Sequence, residues 1–425
     1  MPPSSPQHVV IIGAGFGGLA CARKLSKEGG IKVTLIDRRN HHLFQPLLYQ
    51  VATSTLTAPN IARSIRSLFG KDEEVDVVYD QVKNIDLECH KVLFQSGAQL
   101  PYHSLVIATG ARTSFFGNDH WAEHVFQLKS LSDAFEIRKR VLRNLELVDR
   151  DPQLEKEELS TVVIVGGGPT GVELAGAFSD LIQRTMAKSF RNTDMTRQRI
   201  ILLEGQDRLL TPFHPEQSDY TRKRLEKSGV EVRTGSIVLD IQPNLVTLKD
   251  GETIPAAAII WTAGVEATSI TRDLGVELTR NGQVKVRPDL SVPGHPQVFV
   301  IGDAAAVFQK DGSPVPGVAP AATQEGLYVA KRIITPDSST SEPFRYVDKG
   351  KMAIVGKGSA IVDIRDWRTE GILGWFIWLF IHVLFLVDFR SKAAVLINWF
   401  WAYVRNMPGS RVFTTASDET EDVSH

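Results

Sequence analysis

The sequence predicts an α/β protein made of two copies of one parallel-sheet plan, followed by an apolar, tryptophan-rich helical tail. Three observations carry that expectation. A glycine-rich turn between a strand-like run and an apolar-periodic helix occurs twice, the text downstream of each turn repeats at matched spacing, and an uncharged aromatic stretch lies near the C-terminus. At 425 residues with 43% hydrophobic content, the chain has material for two or three domain cores. Lys plus Arg (48) against Asp plus Glu (49) leaves no global field that would draw it to nucleic acid.

The first copy runs from His8 to Asp37: strand VVIIG, a glycine turn, the helix GLACARKLSKEG and the strand IKVTLID. Gly13, Gly15 and Gly18 fit G-x-G-x-x-G. The first serves the turn, the second lets the backbone approach a pyrophosphate, and the third lets the helix close on the strand. Phe16 and Gly17 complete the turn, whose unpaired helix N–H groups and dipole suit a pyrophosphate. Asp37, 19 positions after Gly18, stands where a ribose hydroxyl is bound.

The second copy occupies 161–204: strand TVVIVG, Gly166, Gly168 and Gly171 with Pro169 and Thr170 between them, a helix from about Val172, and strand IILLE ending at Glu204. A second dinucleotide is therefore expected. Glu204 lies 33 positions past Gly171, so the polar stretch TMAKSFRNTDMTRQ must extend the helix and loop. Downstream, VLFQSGAQLPYHSLVIATG ends at Ala108, Thr109 and Gly110, and VTLKDGETIPAAAIIWTAG ends at Gly264. Gly13 to Gly110 spans 97 positions and Gly166 to Gly264 spans 98, so whole domains are duplicated. The strand VFVIGDAA, with Gly302 and Asp303, has no counterpart in the other copy.

Cys21 and Cys89 are the only cysteines, and no CxxC or CxxxxC dithiol exists to relay an electron pair. Both are expected to be packed thiols, and a reducing compartment fits. His41 and His42 have no ligand-spaced partners, so no metal site is expected, and the basic stretch 138–150 reads as a solvated helix face. The opening MPPSSPQH has neither a basic n-region nor an apolar h-region.

Residues 371–387 are 17 without a formal charge, followed by DFRSK and the uncharged AAVLINWFWAYV. Trp367, Trp375, Trp378, Trp399 and Trp401 fall here, flanked by Arg365, Arg368, Arg390, Lys392 and Arg405. Such a segment is short for a crossing, which needs about 20 residues. It suits two helices lying in one leaflet, with aromatic rings and cations at headgroup level. The alternative for the same helices is a buried homodimer interface, and His382 among them reads as a satisfied imidazole.

The unduplicated GD strand makes the chain resemble the two-dinucleotide flavoproteins of glutathione-reductase type, in which that Asp meets FAD. The resemblance implies two Rossmann-like domains: 1–115 with 290–335 for FAD, 116–289 for NADH, and 336–425 as a C-terminal domain with membrane-surface helices. The GAGFGG turn, RRNHHLFQPLLYQVA (38–52), GGGPTGVELAG (166–176), FVIGDAA, APAATQEG (319–326) and the aromatic tail together resemble the type II NADH dehydrogenases. These are single-subunit, non-pumping, FAD-containing NADH:quinone oxidoreductases held on one membrane face, here the cytoplasmic face of the cell membrane.

That likeness implies FAD contacts at Arg38, Gln45, Pro46, Leu47 and Val82 besides the residues above. It implies NADH contacts through Gly166, Gly168, Pro169, Thr170, Gly171, Glu173, Glu204 and Gly264, with Glu204 favouring NADH over NADPH. Glu173 is implied as the catalytic carboxylate, in the first turn of its helix, tuning charge transfer or a proton path. Ala319, Pro320 and Gln324 mark the quinone side; relatives often carry Gln where Pro320 stands, and Gln324, implied as a second catalytic residue, is expected to remain available. Rival readings are an NADH-dependent ferredoxin or rubredoxin reductase, and an apoptosis-inducing-factor-like flavoprotein acting through a partner.

Overall fold

In the computed structural model, the described residues are 6–70, 74–151, 156–190, 192–335, 342–365, 367–405 and 410–413. They form two compact units.

The first unit comprises Met1–Leu43, Ala62–Arg112 and Val265–Lys349. Its six-stranded sheet runs, in spatial order, Ser291–Val292, His295–Val300, Ser104–Ile107, Gln7–Ile12, Ile31–Asp37 and Val75–Tyr79. All neighbours are parallel except the edge pair Ser291–Val292 and His295–Val300. Val9, Val10 and Ile11 are fully buried, because a parallel strand covered on both faces must be apolar at every position rather than alternately. Helix Phe16–Leu25 follows the first glycine turn and crosses helix Ala319–Ile334. A Cβ at Gly17 would lie 2.9 Å from the Ala322 carbonyl oxygen, so glycine is what permits that crossing. The unduplicated strand His295–Val300 is added beside Ser104–Ile107, with Val300 opposite Ile107.

The second unit comprises Phe44–Ile61, Thr113–Gly264 and Gly350–His425. Its parallel sheet runs Val230–Arg233, Arg199–Leu203, Thr161–Val165 and Ala258–Trp261, the strand order of the first unit less the extra strands. The helix after the second glycine turn is Pro169–Ser179 and continues through a π-helical turn, Asp180–Thr185. That continuation and the short turns after it take up the long spacing before Glu204.

This division departs from the expected boundaries: the first unit runs on to Lys349 rather than 335, and three further departures follow from hydrogen bonding and packing. Residues after Gly264 return to the first unit, where Val284 and Lys285 pair with Ala305 and Ala306, and Gln283 Nε2 donates to the carbonyls of Asp303 (3.3 Å) and Ala305 (3.2 Å). Residues 44–61 leave it as an excursion closed by the Phe44 N–H donating to the Ile61 carbonyl at 2.8 Å. The C-terminal sheet Lys351–Gly356, Ser359–Ile364 and Trp367–Glu370 does not stand apart. Gln217 Nε2 donates to the Val362 carbonyl (2.9 Å), Tyr220 bonds Ser359 (2.9 Å), and Gly176 packs against the Val355 backbone, where any side chain would clash.

Helix Gly371–Phe385 and helix Phe389–Trp399, with its π-helical extension Phe400–Val404, complete this unit. No helix among the described residues is long and apolar enough to cross a membrane. Helix Leu131–Arg150 takes in the basic stretch and opens on a capping box between Ser130 and Asp133. It buries Ile137, Val141 and Leu145, so only part of its surface is a solvated face.

Candidate active site

The two glycine turns are built alike down to their hydrogen bonds. Asp37 Oδ2 accepts from the Ala14 N–H (2.7 Å) and Oδ1 from the Arg39 N–H (2.8 Å). Glu204 Oε2 accepts from the Gly167 N–H (2.6 Å) and Oε1 from the Gln206 N–H (2.8 Å). In each unit the acid at the end of the second strand thus ties the residue after the first glycine to its own second neighbour. Charge-assisted bonds of this kind fix the turn.

The glycines divide by role. Gly13 and Gly166 have φ of +104° and +112°, a region L-residues avoid. A Cβ at Gly18 would run into the Gly13 carbonyl oxygen, and one at Gly171 into that of Gly166. Around Gly15 and Gly168, by contrast, a Cβ would meet nothing within 4 Å. Both cap their helices in an extended conformation without a side-chain cap, so first-turn N–H groups face open space. This is a cradle that a side chain would fill, and it fits a pyrophosphate in both units.

Around the first turn, Ala108 lies against Gly13, Thr109 Oγ1 accepts from Thr268 Oγ1 (2.7 Å), and Gly110 sits at φ +68°. The Gly302 N–H donates to Glu325 Oε2 at 2.5 Å, and Gly317 packs against Asp303. Glu325, not foreseen from sequence, is buried on helix Ala319–Ile334, and burial pushes its carboxyl up to about 7. His42 is buried with Nδ1 donating to the Ala14 carbonyl (2.8 Å) and meets Phe16 edge-on. It therefore supports the turn. Val82 begins an antiparallel strand opposite Phe94, Arg38 follows Asp37, and Thr170 is exposed at the second turn.

Several expectations are corrected. Gln45, Pro46 and Leu47 form a short 3₁₀ turn in the second unit, and Leu47 is fully buried in its core, so that side chain is not presented to a ligand. Gln324 is not free: Nε2 donates to the Val347 carbonyl (3.0 Å) and Oε1 accepts the Val347 N–H (3.0 Å). Pro320 follows Ala319 in the first turn of that helix, where the missing N–H would be unpaired in any case. Cys89 is exposed in the turn 87–90 rather than packed, and Asp86 beside it raises its pKa. Cys21 is buried and pushed up to about 12, so neither thiol is an activated thiolate.

Glu173 stands in the second helical turn, not the first, because the helix begins at Pro169. Burial pushes its carboxyl up to about 8, against the downward pull of the Ile354 backbone and the Trp378 indole. It lines a cavity of about 40 Å³ with Tyr49, Gln50, Asp180 and Tyr403. His382 stacks on Trp378 (3.9 Å between centroids) and its Nδ1 donates to the Trp378 carbonyl (2.8 Å); burial lowers its pKa to about 4 against the upward pull of that bond. Gly264, at φ +73°, packs against Phe116 and the Ser114 carbonyl.

The sequence profile of the pyridine nucleotide-disulphide oxidoreductases matches residues 7–326, and the chain belongs to that family. Two solved structures share the fold at 20% identity: NDH2 from Plasmodium falciparum in complex with NADH (TM-score 0.87, covering 96% of this chain and 100% of that one) and the sulfide:quinone oxidoreductase of Aquifex aeolicus (TM-score 0.72, 91% and 92%). At that distance the fold does not choose between them. The sequence does: the type II NADH:quinone oxidoreductase Ndh of Mycobacterium tuberculosis is 41% identical over 97% of this chain and 91% of its own length. Within its family, the chain is one of the type II NADH:quinone oxidoreductases.

Proposed function

We propose that this protein carries FAD on the glycine turn of its first unit, binds NADH on that of its second, and passes two electrons to a membrane quinone without pumping protons. The observation that carries the reading is the doubled cradle, with its acid clamp, its first and third glycines where a Cβ would clash and its open middle glycine. Bound flavin would supply the two-electron chemistry, accepting hydride from NADH and returning electrons to quinone.

The chain's own residues position the reactants. First-turn N–H groups behind Gly15 and Gly168 hold the pyrophosphates. Asp37 and Glu204, already anchored to backbone, offer carboxylate oxygens to ribose hydroxyls, and Glu204 disfavours a 2′-phosphate by like charge. Glu173 is protonated at neutral pH, so it is a proton source for quinone reduction.

The tail supplies attachment. Helix Gly371–Phe385 buries Gly374 and Trp378 and leaves Ile372 (65%), Phe376 (57%), Phe380 (66%) and Leu384 (52%) exposed along one face. A face this apolar needs cover. With Arg390, Lys392 and Arg405 nearby, we assign it to the membrane surface on the cytoplasmic side, where NADH is generated. Cover by a second copy in a homodimer is the competing outcome, and binding to lipid vesicles by the monomer separates the two.

The decisive experiment is anaerobic stopped-flow. A yellow protein should bleach with NADH and recover its colour with a short-chain quinone. A preparation that is colourless after reconstitution with FAD would refute the reading.

A further inference from the structure

We propose that the small cavity bordered by Ala402 and Tyr403 of the C-terminal aromatic segment is a proton inlet, in which Asp180 takes protons from solution and passes them through water held by Tyr49 and Tyr403 to Glu173. The proposal deepens the quinone-reductase reading and rests on it. Oxidation of NADH by quinone follows NADH + H⁺ + quinone → NAD⁺ + quinol. Each turnover therefore removes one proton from solution, and a carboxyl buried as Glu173 is must be reprotonated by some route.

Size and placement select water as the occupant. At about 40 Å³ the cavity is too small for a quinone ring or a nucleotide and holds about three waters. Glu173, Ala177, Asp180 and Arg184 all line it, at the four-three-four spacing that places them on one face of the helix and its π-helical continuation. Seven residues of helix set the two backbone positions about 10 Å apart along the axis, a span suited to a short water chain between their side chains. Ala177, between them, leaves that space unfilled.

The hydroxyl groups are oriented by a donor that cannot be reversed. Trp399 Nε1 donates to Gln50 Oε1 (2.6 Å), and an indole N–H has no acceptor role, so the Gln50 amide orientation is fixed. Gln50 Nε2 must then donate to Tyr49 Oη (2.8 Å) and Tyr403 Oη (3.4 Å). With those oxygens accepting, each O–H points elsewhere, and both tyrosines line the cavity that holds the carboxyls. Burial keeps both phenols protonated, their pKa values well above the usual range. They therefore relay or orient water rather than ionise.

Asp180 is the outer end. Its side chain is 23% exposed, beside Arg184 at 46%. Oδ2 accepts the Lys357 N–H (2.6 Å) and Oδ1 pairs with Arg184 Nε (3.3 Å). Burial raises its pKa against the opposing pull of Lys357, Arg184 and Arg224, and Tyr49, Tyr403 and Glu173 complete the groups around the cavity. A partly exposed carboxyl at the rim of the cavity, its affinity for a proton raised by burial, is suited to exchange with solvent.

The test compares two acceptors in the full-length enzyme: a short-chain quinone, which consumes protons, and ferricyanide, which takes electrons alone. Asp180→Asn should slow quinone reduction roughly tenfold at pH 8 and less at pH 6, leave the ferricyanide rate at the wild-type value, and be partly rescued by Asp180→Glu. Tyr403→Phe, which removes one hydroxyl, should show a smaller loss of the same kind and a changed solvent deuterium isotope effect on quinone reduction. It decides the matter if Asp180→Asn does not fold. An unchanged ratio of the two rates at every pH, or a parallel fall of both, overturns the inlet. A wild-type enzyme that reduces ferricyanide but no quinone would overturn the quinone reading itself, an outcome distinct from either.

Discussion

Replacing Glu173 by Gln should make the protein more stable and less active, and the gain in stability should grow with pH. The unfolded carboxyl ionises around 4.5, whereas burial lets the folded one hold its proton to about 8. Between those values the unfolded chain sheds a proton that the native state keeps, so raising pH through that window drains native stability; above about 8 both states are ionised and the loss levels off. Each pH unit inside the window costs about 1.4 kcal/mol, or about 3 kcal/mol at pH 7. Gln keeps the volume and a hydrogen-bonding oxygen but cannot ionise. Thermal midpoints followed by tryptophan fluorescence at one scan rate should therefore coincide for variant and wild type near pH 4.5 and diverge steadily to pH 8, the variant melting higher. Quinone turnover should fall over the same range. Parallel melting curves with a constant offset would show that Glu173 ionises normally, and its assignment as a stored proton would be lost.

Other perturbations discriminate among the remaining assignments. Gly15→Ala should leave the melting of flavin-free protein unchanged and lower FAD occupancy at least about tenfold, because the added methyl meets open space until the cofactor arrives; visible absorbance after reconstitution reads it. Gly171→Ala should instead damage the fold of the second unit, since its Cβ would strike the Gly166 carbonyl, and circular dichroism would report the loss. Glu204→Ala should raise the KM for NADH roughly tenfold and narrow the preference over NADPH, with kcat little changed. Phe380→Asp should abolish co-sedimentation with anionic vesicles while the ferricyanide rate persists; retained binding would point to dimerisation as the role of that face.

What could be read from sequence was what the fold imposes locally. Strands such as VVII and VVIV announce themselves because a parallel strand covered on both faces has no polar positions, and the first and third glycines because a methyl group there has nowhere to go. The acid at each second strand's end was legible too, as a ribose ligand, though its grip on two backbone amides was not. The excursion 44–61, the docking of the C-terminal sheet on the second unit, and the bond from Trp399 to Gln50, 349 positions away, follow from tertiary packing that no local pattern encodes. Gln324 was misread for the same reason: its partner is the Val347 backbone, 23 positions on. Asp180 carries a signal in the sequence, the next acid after Glu173, seven positions on and therefore on the same helix face.

The indole of Trp399 has a further implication for handling the enzyme. Because it supplies the hydrogen that Gln50 needs, peeling the tail away in harsh detergent would strand an amide oxygen in the interior and open the chamber to bulk solvent. Delipidated preparations would then differ from membrane-bound ones in how their rate responds to acidity, even where their solubility and spectra look the same.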